Sequence, residues 1–534
     1  MLILITLWEV VFVMLCTAFM INKCMCIEWG GKKQIYKIIV LCVSLILSFV
    51  LGCQLSSLFV TGRYVDVLTL SNLYSYRDVG WKIILTSSFI IIICLGLTIF
   101  TAVTSWRGWY RTIRWPIALY CLFFFCVNPQ GALLNFGKTS HEYMGQSLFT
   151  PNAKMRKLQQ ELYAQDDTFS NDFDIRKVLD FRNKNVVVVF AEGFSTQFID
   201  KFNNYKGLTP NIDKFMEESA YFDNYYNHTA ATFRGLRGQL TSSYQLRSGY
   251  RKDNNGLGQI NEEQIKKTLT GNLISVPHIL KDHGYHSYFL SAHPDKHQLN
   301  LVLETLEFDT VYGSDDFLSG SDKGKNLSDQ QLFSALSDMV KNNKLQKPFF
   351  IGTYNMGTHF GQNSPDLKYG NGKNILLNTV HNFDNAFGKF WNSVKDRQDL
   401  VIILTADHAT PPYGGPYNET FGTHRLYPVG KIPFVIWTHG IKHQVIDVKG
   451  RNSLAFAPTL LQALGIKHSF NYFLGCSLFN PACPKPFSKI YNEGSDRFLE
   501  TPAIRKLDEA NKDDKVIIQK IRDFYNLSED RRFL

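Results

Sequence analysis

The sequence has little of what nucleic-acid-binding proteins use. The 534-residue chain carries a net charge of +10. Yet its basic residues form no dense run, its cysteines and histidines lack zinc-finger spacing, and it contains no aromatic RNA-binding motif. Internal repeats are absent too, which excludes repeat architectures. We therefore expect no nucleic-acid partner, and the positive charge suits an anionic lipid surface better.

Cysteine is scarce outside the first quarter of the chain. Eight of the ten cysteines precede residue 130, where they serve as small apolar residues of membrane helices. Only Cys476 and Cys483 lie beyond it. A thiol pair this close in sequence tends to form a disulfide in an oxidising compartment. We expect that disulfide, and the alternative is two unpaired surface thiols.

Long apolar runs are confined to the beginning of the chain. Four stretches approach the roughly 20 residues that a spanning helix needs: residues 2–21, 38–60, 83–103 and 115–127. The first lacks the basic start of a signal peptide, contains Glu9 and precedes further apolar runs. It is therefore interpreted as an uncleaved anchor.

Basic residues give these spans an orientation. They follow the first and third apolar runs, at Lys23, Lys32, Lys33, Arg107, Arg111 and Arg114. Loops rich in Lys and Arg stay in the cytoplasm. With four spans, the amino terminus and everything after about residue 128 would then lie outside.

The composition predicts four regions. Residues 1–128 form a membrane region of about four spans, and residues 129–182 form a polar linker with an interfacial helix near 153–164. Residues 183–500 form a soluble α/β domain, and residues 501–534 form a charged tail.

Chemically active side chains follow the predicted strands of the soluble domain. Short β-branched or aromatic runs at 186–190, 286–290, 349–354, 401–404 and 434–437 alternate with helical patterns and predict a mostly parallel sheet. The first four runs are followed by Glu192, by His293, by His359, and by Asp407 with His408. Ligands bind beyond the carboxyl ends of such strands, so we expect these residues to meet at one edge.

Three of these residues suit a divalent metal. Glu192, Asp407 and His408 supply two carboxylates and an imidazole, which are ligands for Zn²⁺ or Mn²⁺, with Mg²⁺ a further candidate. The alternative is a structural ion-pair cluster.

Four motifs then resemble a known family. They are NVVVVFAEGFS (185–195), TPNIDKFMEESAYFDNYY (209–226), HTAATFRG (228–235) and TADH (405–408). Together they are similar to the alkaline phosphatase/sulfatase superfamily, and most of all to its membrane-anchored lipoteichoic acid synthases, phosphoglycerol transferases and phosphoethanolamine transferases. The resemblance covers about residues 184–480. It implies an alkaline-phosphatase-like α/β/α domain.

The resemblance also implies roles for particular residues. Thr232 would be the nucleophile and a metal ligand beside Glu192, Asp407 and His408. A helix beginning near Thr232 would direct its N–H groups at a phosphate. Thr229, three residues earlier, is the rival, and a plain helix N-cap is the alternative for Thr232.

Two histidines would act as acid or base. His359 and His424, each preceded by Gly-Thr, would contact the phosphate or a second metal. Either could protonate the leaving diacylglycerol oxygen or deprotonate the acceptor hydroxyl, because an imidazole titrates near neutrality. The alternative for each is a structural histidine.

The residues expected to contact the substrate match the family only in part. His293 matches the substrate-side histidine of lipoteichoic acid synthases, but the Trp and Arg that follow it there are replaced by residues such as Gln298 and Leu299. Arg234 and Arg237 would supply the missing phosphate contacts, or else be exposed helix arginines.

The implied function is headgroup transfer at the bacterial inner membrane by a periplasmic or extracellular domain. A phospholipid donor would give its headgroup, phosphoglycerol before phosphoethanolamine, through phosphothreonine to a hydroxyl of an envelope glycan or lipopolysaccharide. Sulfatase activity is not expected, although the fold would be the same, because the segment at Thr232 lacks the C/S-x-P-x-R motif that is converted to formylglycine. A membrane-anchored phosphodiesterase or phosphatase, and an inactive scaffold of envelope assembly, remain as alternatives.

Overall fold

The chain divides into two compact units. A computed structural model describes residues 2–26, 33–61, 64–65, 81–106, 131–145, 181–244, 261–269, 273–342, 345–359, 367–412, 416–425, 427–466, 473–480, 483, 485–492, 498–500 and 509–528. One unit runs from the amino terminus to Leu148, and the other contains nearly all of the remainder.

The amino-terminal unit is helical. Its helices are α1 (Leu2–Cys26), α2 (Lys33–Thr61), α3 (Trp81–Trp106) and α4 (Ala132–Gly145). The first three contain stretches long and apolar enough to cross a membrane, at Leu2–Ile21, Gln34–Val60 and Ile83–Ser105. They match the first three predicted spans. The fourth predicted span, residues 115–127, lies outside the described residues.

Hydrogen bonds between polar side chains join these helices. Thr17 donates to Ser44 at 2.7 Å, and Ser48 and Thr98 share a 2.6 Å hydrogen bond. Such bonds hold membrane helices together because lipid offers no competing partner. Glu9 is buried, and its Oε2 accepts from Ala132 N at 2.7 Å. The carboxylate thus caps the first turn of α4, which accounts for an acid within a span.

The linker differs in part from its prediction. Its described helix is α4, which begins at Ala132, whereas the helix predicted at 153–164 lies outside the described residues. The charged tail contains a helix whose Ile518 and Ile521 are buried against Phe487 and Ile490. One face of the tail is therefore part of a core.

The second unit is built on an eight-stranded sheet. Its strands are β1 (Asn185–Ala191), β2 (Ala220–Asp223), β3 (His286–Ser291), β4 (Thr310–Tyr312), β5 (Phe349–Tyr354), β6 (Leu400–Ala406), β7 (Val435–Thr438) and β8 (Gln444–Asp447), in the spatial order β4-β3-β5-β1-β6-β7-β2-β8. Only β7 runs antiparallel to its neighbours. A separate hairpin pairs β9 (Ile490–Asn492) with β10 (Phe498–Glu500).

Helices cover both faces of this sheet. They are α5 (Pro210–Glu217), α6 (Thr232–Thr241), α7 (Glu262–Leu269), α8 (Val276–Asp282), α9 (Gln298–Glu304), α10 (Asp329–Lys341), α11 (Ile375–Val394), α12 (Pro416–Phe421), α13 (Phe456–Ala463) and α14 (Lys512–Ser528), with 3₁₀ turns at Thr196–Phe198, Asp200–Phe202, Ser314–Asp316, Gly320–Asp322, Ser453–Ala455 and Pro486–Lys489. Every residue of β1 and β6 is buried. Strands buried on both faces define an α/β/α sandwich, so the predicted fold class is confirmed.

The central strands end level with one another. All five predicted runs form strands, and β1 pairs in parallel with both β5 and β6. In this register Ala191 lies beside Ala406, and Phe190 lies beside Tyr354. The residues that follow these three strands are thereby brought to one edge.

Candidate active site

Three predicted metal ligands meet beyond β1 and β6. Glu192, Asp407 and His408 are buried, and one ligand atom of each lies within 4.8 Å of the others. His408 Nε2 is 3.6 Å from Glu192 Oε1 and 3.4 Å from Asp407 Oδ2. The parallel register produces this grouping, since Glu192 and Asp407 follow the paired residues Ala191 and Ala406.

Hydrogen bonds on the far sides of these groups orient them for a cation. His408 Nδ1 lies 2.9 Å from the carbonyl oxygen of Ala409. Because a carbonyl only accepts, Nδ1 carries the proton and the Nε2 lone pair faces the two carboxylates. Asp407 Oδ1 accepts from the main-chain N–H groups of Gly193 and His408 at 2.8 and 2.7 Å. Among the residues that the structure describes, none donates a hydrogen bond to Asp407 Oδ2, which is buried.

The pKa values of the two carboxyl groups in this cluster shift in opposite directions. Burial and the adjacent Glu192 carboxylate raise the pKa of Asp407 well above its usual range. Burial also opposes ionisation of Glu192, but the His408 and His359 rings, together with hydrogen bonds from Tyr354 and Thr232, lower the pKa of Glu192. Two buried carboxylates, a free carboxylate oxygen and an inward imidazole lone pair fit a divalent ion, which would neutralise both acids.

Thr232 reaches this cluster from the first turn of α6. Its Oγ1 donates to Glu192 Oε2 at 2.9 Å, and the side chain is half-buried. Thr232 is the first helical residue, and Ala231 occupies the N-cap position. The interpretation of Thr232 as a plain N-cap is therefore wrong. Thr229 is fully buried, and its hydroxyl donates only weakly, at 3.5 Å, to Ala230.

Close backbone packing places α6. A Cβ at Gly235 would lie 2.1 Å from the Asp407 carbonyl oxygen, so only glycine allows the helix to approach so closely. Gln239 Nε2 donates to the carbonyl oxygen of Ala406 at 3.0 Å. Ala231 has a φ of +74°, which L-residues rarely adopt. The strained residue and the close approach both bring Thr232 to the metal ligands.

The last residue of β5 and the segment after it supply contacts that the sequence did not indicate. The Tyr354 hydroxyl donates to Glu192 Oε2 at 2.5 Å. Asn355 Oδ1 accepts from Glu192 N, and Thr358 Oγ1 donates to Glu192 O. The signal available in the sequence was their position directly before His359, at the end of a predicted strand.

His359 and His293 both lie close enough to Glu192 to interact with it electrostatically. The ring of His359 lowers the pKa of Glu192, and the ring centroid of His293 is 5.8 Å from that of Tyr354. His293 is buried and stacks on His297 at 3.8 Å. Burial and the His297 ring lower the pKa of His293 to about 3, so this imidazole is neutral.

The remaining predicted site residues are two arginines of α6 and His424, and they differ in burial. Arg234 and Arg237 are both buried in α6, so their interpretation as exposed helix arginines is wrong. His424 is exposed, and within the described part of the chain its ring has no hydrogen bond or ion pair, so its role stays a prediction. The next residue, Arg425, lies over the Tyr417 ring at 4.5 Å and donates to Ser195 Oγ at 3.3 Å.

The two late cysteines are joined. Cys476 and Cys483 form a disulfide with a Cα–Cα distance of 5.8 Å. The bond closes a short loop beside Ser477 and Asn480, whose carbonyl oxygens accept from the guanidinium of Arg451.

A mostly parallel α/β/α sandwich with carboxylate and imidazole ligands at the carboxyl edge of its strands is the architecture of the alkaline phosphatase superfamily. Residues 184–466, just over half of the chain, match the family model described as Sulfatase. The chain belongs to the sulfatase family.

Individual relatives are distant. "Lipoteichoic acid synthase-like YvgJ" from Bacillus subtilis (strain 168) is 22% identical over 343 residues, which cover 58% of this chain and 52% of that protein. The chain thus spans about half the length of this curated relative. A protein in the alkaline phosphatase superfamily from Vibrio parahaemolyticus matches with a TM-score of 0.51 and 20% identity, over 71% of this chain and 95% of that one. The lipoteichoic acid synthase LtaP from Listeria monocytogenes gives a TM-score of 0.49 and 16% identity, over 70% and 96%.

Proposed function

We propose that this chain is a metal-dependent phosphotransferase that moves a phospholipid headgroup through a phosphothreonine at Thr232. The observation that carries the proposal is the 2.9 Å hydrogen bond between Thr232 Oγ1 and Glu192 Oε2, beside Asp407 and His408. A threonine on a buried ligand set, at the start of a helix, has little structural purpose but suits nucleophilic attack on phosphorus.

The metal ligands would be Glu192, Asp407, His408 and Thr232, around Zn²⁺ or Mn²⁺ with Mg²⁺ as a further candidate. When bound, the cation stabilises negative charge and favours ionisation of a contacting hydroxyl. The remaining groups orient the nucleophile. Because the Thr232 hydroxyl hydrogen is directed at Glu192, an oxygen lone pair is left to attack phosphorus, and the free N–H groups at the start of α6 would bind the phosphate oxygens.

Transfer takes two displacements. In the first, Thr232 Oγ1 loses its proton and bonds to phosphorus, the bond from phosphorus to the diacylglycerol oxygen breaks, and that oxygen takes a proton. In the second, an acceptor hydroxyl loses its proton and bonds to phosphorus, the bond from phosphorus to Thr232 Oγ1 breaks, and Thr232 Oγ1 takes a proton. His359, close enough to affect Glu192, is our first candidate for both proton transfers, and His424 is the second.

The membrane in which the helical unit lies would supply the phospholipid donor. Three helices of spanning length would hold the domain at the bacterial inner membrane, where phospholipids are concentrated and binding becomes a matter of positioning. With residues 115–127 as a fourth span, the basic loops favour a periplasmic or extracellular domain, and the Cys476–Cys483 disulfide supports an oxidising compartment.

Phosphoglycerol is the favoured headgroup and phosphoethanolamine the next. His293 carries this preference, because it matches the substrate-side histidine of lipoteichoic acid synthases and its neutral ring is suited to accept a hydroxyl hydrogen bond. The acceptor would be a hydroxyl of an envelope glycan or of lipopolysaccharide.

Intact-mass measurement tests this proposal. Full-length protein incubated with metal and phospholipid, without acceptor, should carry a covalent adduct whose mass identifies the headgroup. Thr232→Ala should carry none, and Thr229→Ala, the matched control three residues earlier, should carry as much as the wild type. An adduct that persists in Thr232→Ala would refute the nucleophile.

The same preparation separates the alternatives. Steady release of the headgroup to water, unchanged by added glycan, would identify a phosphodiesterase. Absence of a stoichiometric metal would identify an inactive scaffold.

A further inference from the structure

The main chain of Glu192 is held from both sides by side chains of one neighbouring segment. Its N–H donates to Asn355 Oδ1 at 2.9 Å, and its carbonyl oxygen accepts from Thr358 Oγ1 at 2.6 Å. Asn355 and Thr358 follow β5, and both are buried. Because β1 ends at Ala191, these two bonds fix the peptide groups around Glu192 in place of sheet pairing.

The two side chains are also joined to each other and to a carboxylate. Asn355 Nδ2 donates to Thr358 Oγ1 at 3.2 Å and to Asp329 Oδ1 at 3.0 Å. Asp329 begins α10 and is buried, and its Oδ1 also accepts from Gly357 N at 3.2 Å. A Cβ at Gly357 would lie 2.3 Å from Asp329 Oδ2. The carboxylate thus lies directly against the loop that leads to His359.

Donor and acceptor roles in this network are determined by chemistry. The Glu192 N–H can only donate, so the Asn355 atom facing it is the oxygen and its amide nitrogen faces Asp329 and Thr358. The Glu192 carbonyl can only accept, so the Thr358 hydroxyl hydrogen points at it. The hydroxyl therefore has one orientation, with Asn355 behind it and Glu192 in front.

We propose that Thr358 is a positioning residue of the metal site, an inference that rests on the proposed function. Its hydroxyl links the main chain of Glu192 to the loop that continues into His359. Asn355, itself held by Asp329, fixes the orientation of that hydroxyl. This one hydrogen bond therefore fixes the position of Glu192 relative to the loop that leads to His359. Metal sites tolerate displacements of only about 0.5 Å, and losing an outer-shell partner typically weakens metal affinity 10- to 100-fold.

Zn²⁺ affinity of the full chain in detergent, measured by competition with a chromophoric chelator, tests this role. Thr358→Val keeps the shape but removes the hydroxyl, and should weaken Zn²⁺ binding by about 10- to 100-fold. Thr358→Ser restores the hydroxyl and should bind within about threefold of the wild type. Thr438→Val is the matched control. Thr438 also donates a buried hydrogen bond to a main-chain carbonyl, that of Leu400, but it lies in β7 beside the start of β6, whereas the metal ligands follow the end of β6.

Three results would overturn the inference: a folded Thr358→Val that binds Zn²⁺ as the wild type does, a Thr358→Ser as weak as Thr358→Val, or an equal loss in Thr438→Val. Asp329→Asn, one step further from Glu192, should shift the affinity in the same direction and replaces Thr358→Val if that variant does not fold. A wild type that binds none of Zn²⁺, Mn²⁺ and Mg²⁺ in the same competition assay would instead overturn the proposed function, so the two failures are distinguishable.

Discussion

Substitution of Gly235 by alanine should separate catalytic geometry from folding. The new Cβ would lie 2.1 Å from the Asp407 carbonyl oxygen and 2.8 Å from its carbonyl carbon. Ordinary contacts to such atoms exceed about 3 Å, and the obstacle is main chain, so α6 or the end of β6 must move by roughly 1 Å. Either movement stretches the 2.9 Å contact between Thr232 and Glu192.

The effects on stability and on rate should differ in size. Alanine in a helix gains about 1 kcal/mol over glycine, whereas overpacking costs about 1 to 3 kcal/mol. The free energy of unfolding should therefore fall by no more than about 2 kcal/mol. A 1 Å misplacement of reacting groups costs about 100-fold in rate.

Denaturant unfolding and headgroup release from a phospholipid would measure the two quantities. Gly137→Ala is the control, because a Cβ there meets nothing within 4 Å, and it should leave the rate unchanged. A Gly235→Ala protein with the wild-type rate would refute the argument that α6 positions Thr232 through this contact.

Four further predictions concern the nucleophile, the bound metal and two buried carboxylates. Thr232→Ala should lose about a thousandfold or more in transfer rate, since both displacements use this residue; a loss below tenfold would contradict this. Asp407→Asn keeps an oxygen for Gly193 and His408 but places an amide nitrogen at the free ligand position. Metal analysis of Asp407→Asn should find a metal content near background. Chelation of the wild type, starting from a free metal concentration of 100 Kd, should lower the free energy of unfolding by about 3 kcal/mol. Burial raises the pKa of Asp384 from 3.8 to about 6. Because the folded state binds this proton more tightly than the unfolded state, protonation stabilises the fold by up to about 3 kcal/mol below pH 3.8. This contribution is lost as the pH rises through 6. Asp384→Asn should flatten that part of the stability–pH curve, and an unchanged slope would exclude the assignment.

Much of the fold was predictable because it depends on local pattern. Apolar length identified α1 to α3, and β-branched runs identified the central strands. The strands β2, β4 and β8 were missed, because each has only three or four residues and lies toward the sides of the sheet. The reversed direction of β7 was also not predictable, since a strand's sequence does not encode the orientation of its partner.

The sequence by itself determined which residues end neighbouring strands, and so gathered Glu192, Asp407 and His408 as a ligand set. Only the tertiary structure decided that Thr232 rather than Thr229 faces that set, because the choice depends on the strained φ of Ala231 and on the approach of α6 to β6. It likewise decided that Arg234 and Arg237 are buried and that hydroxyl and amide groups after β5 hold Glu192. These facts arise from contacts between residues tens to hundreds of positions apart, and local propensity carries no information about such contacts.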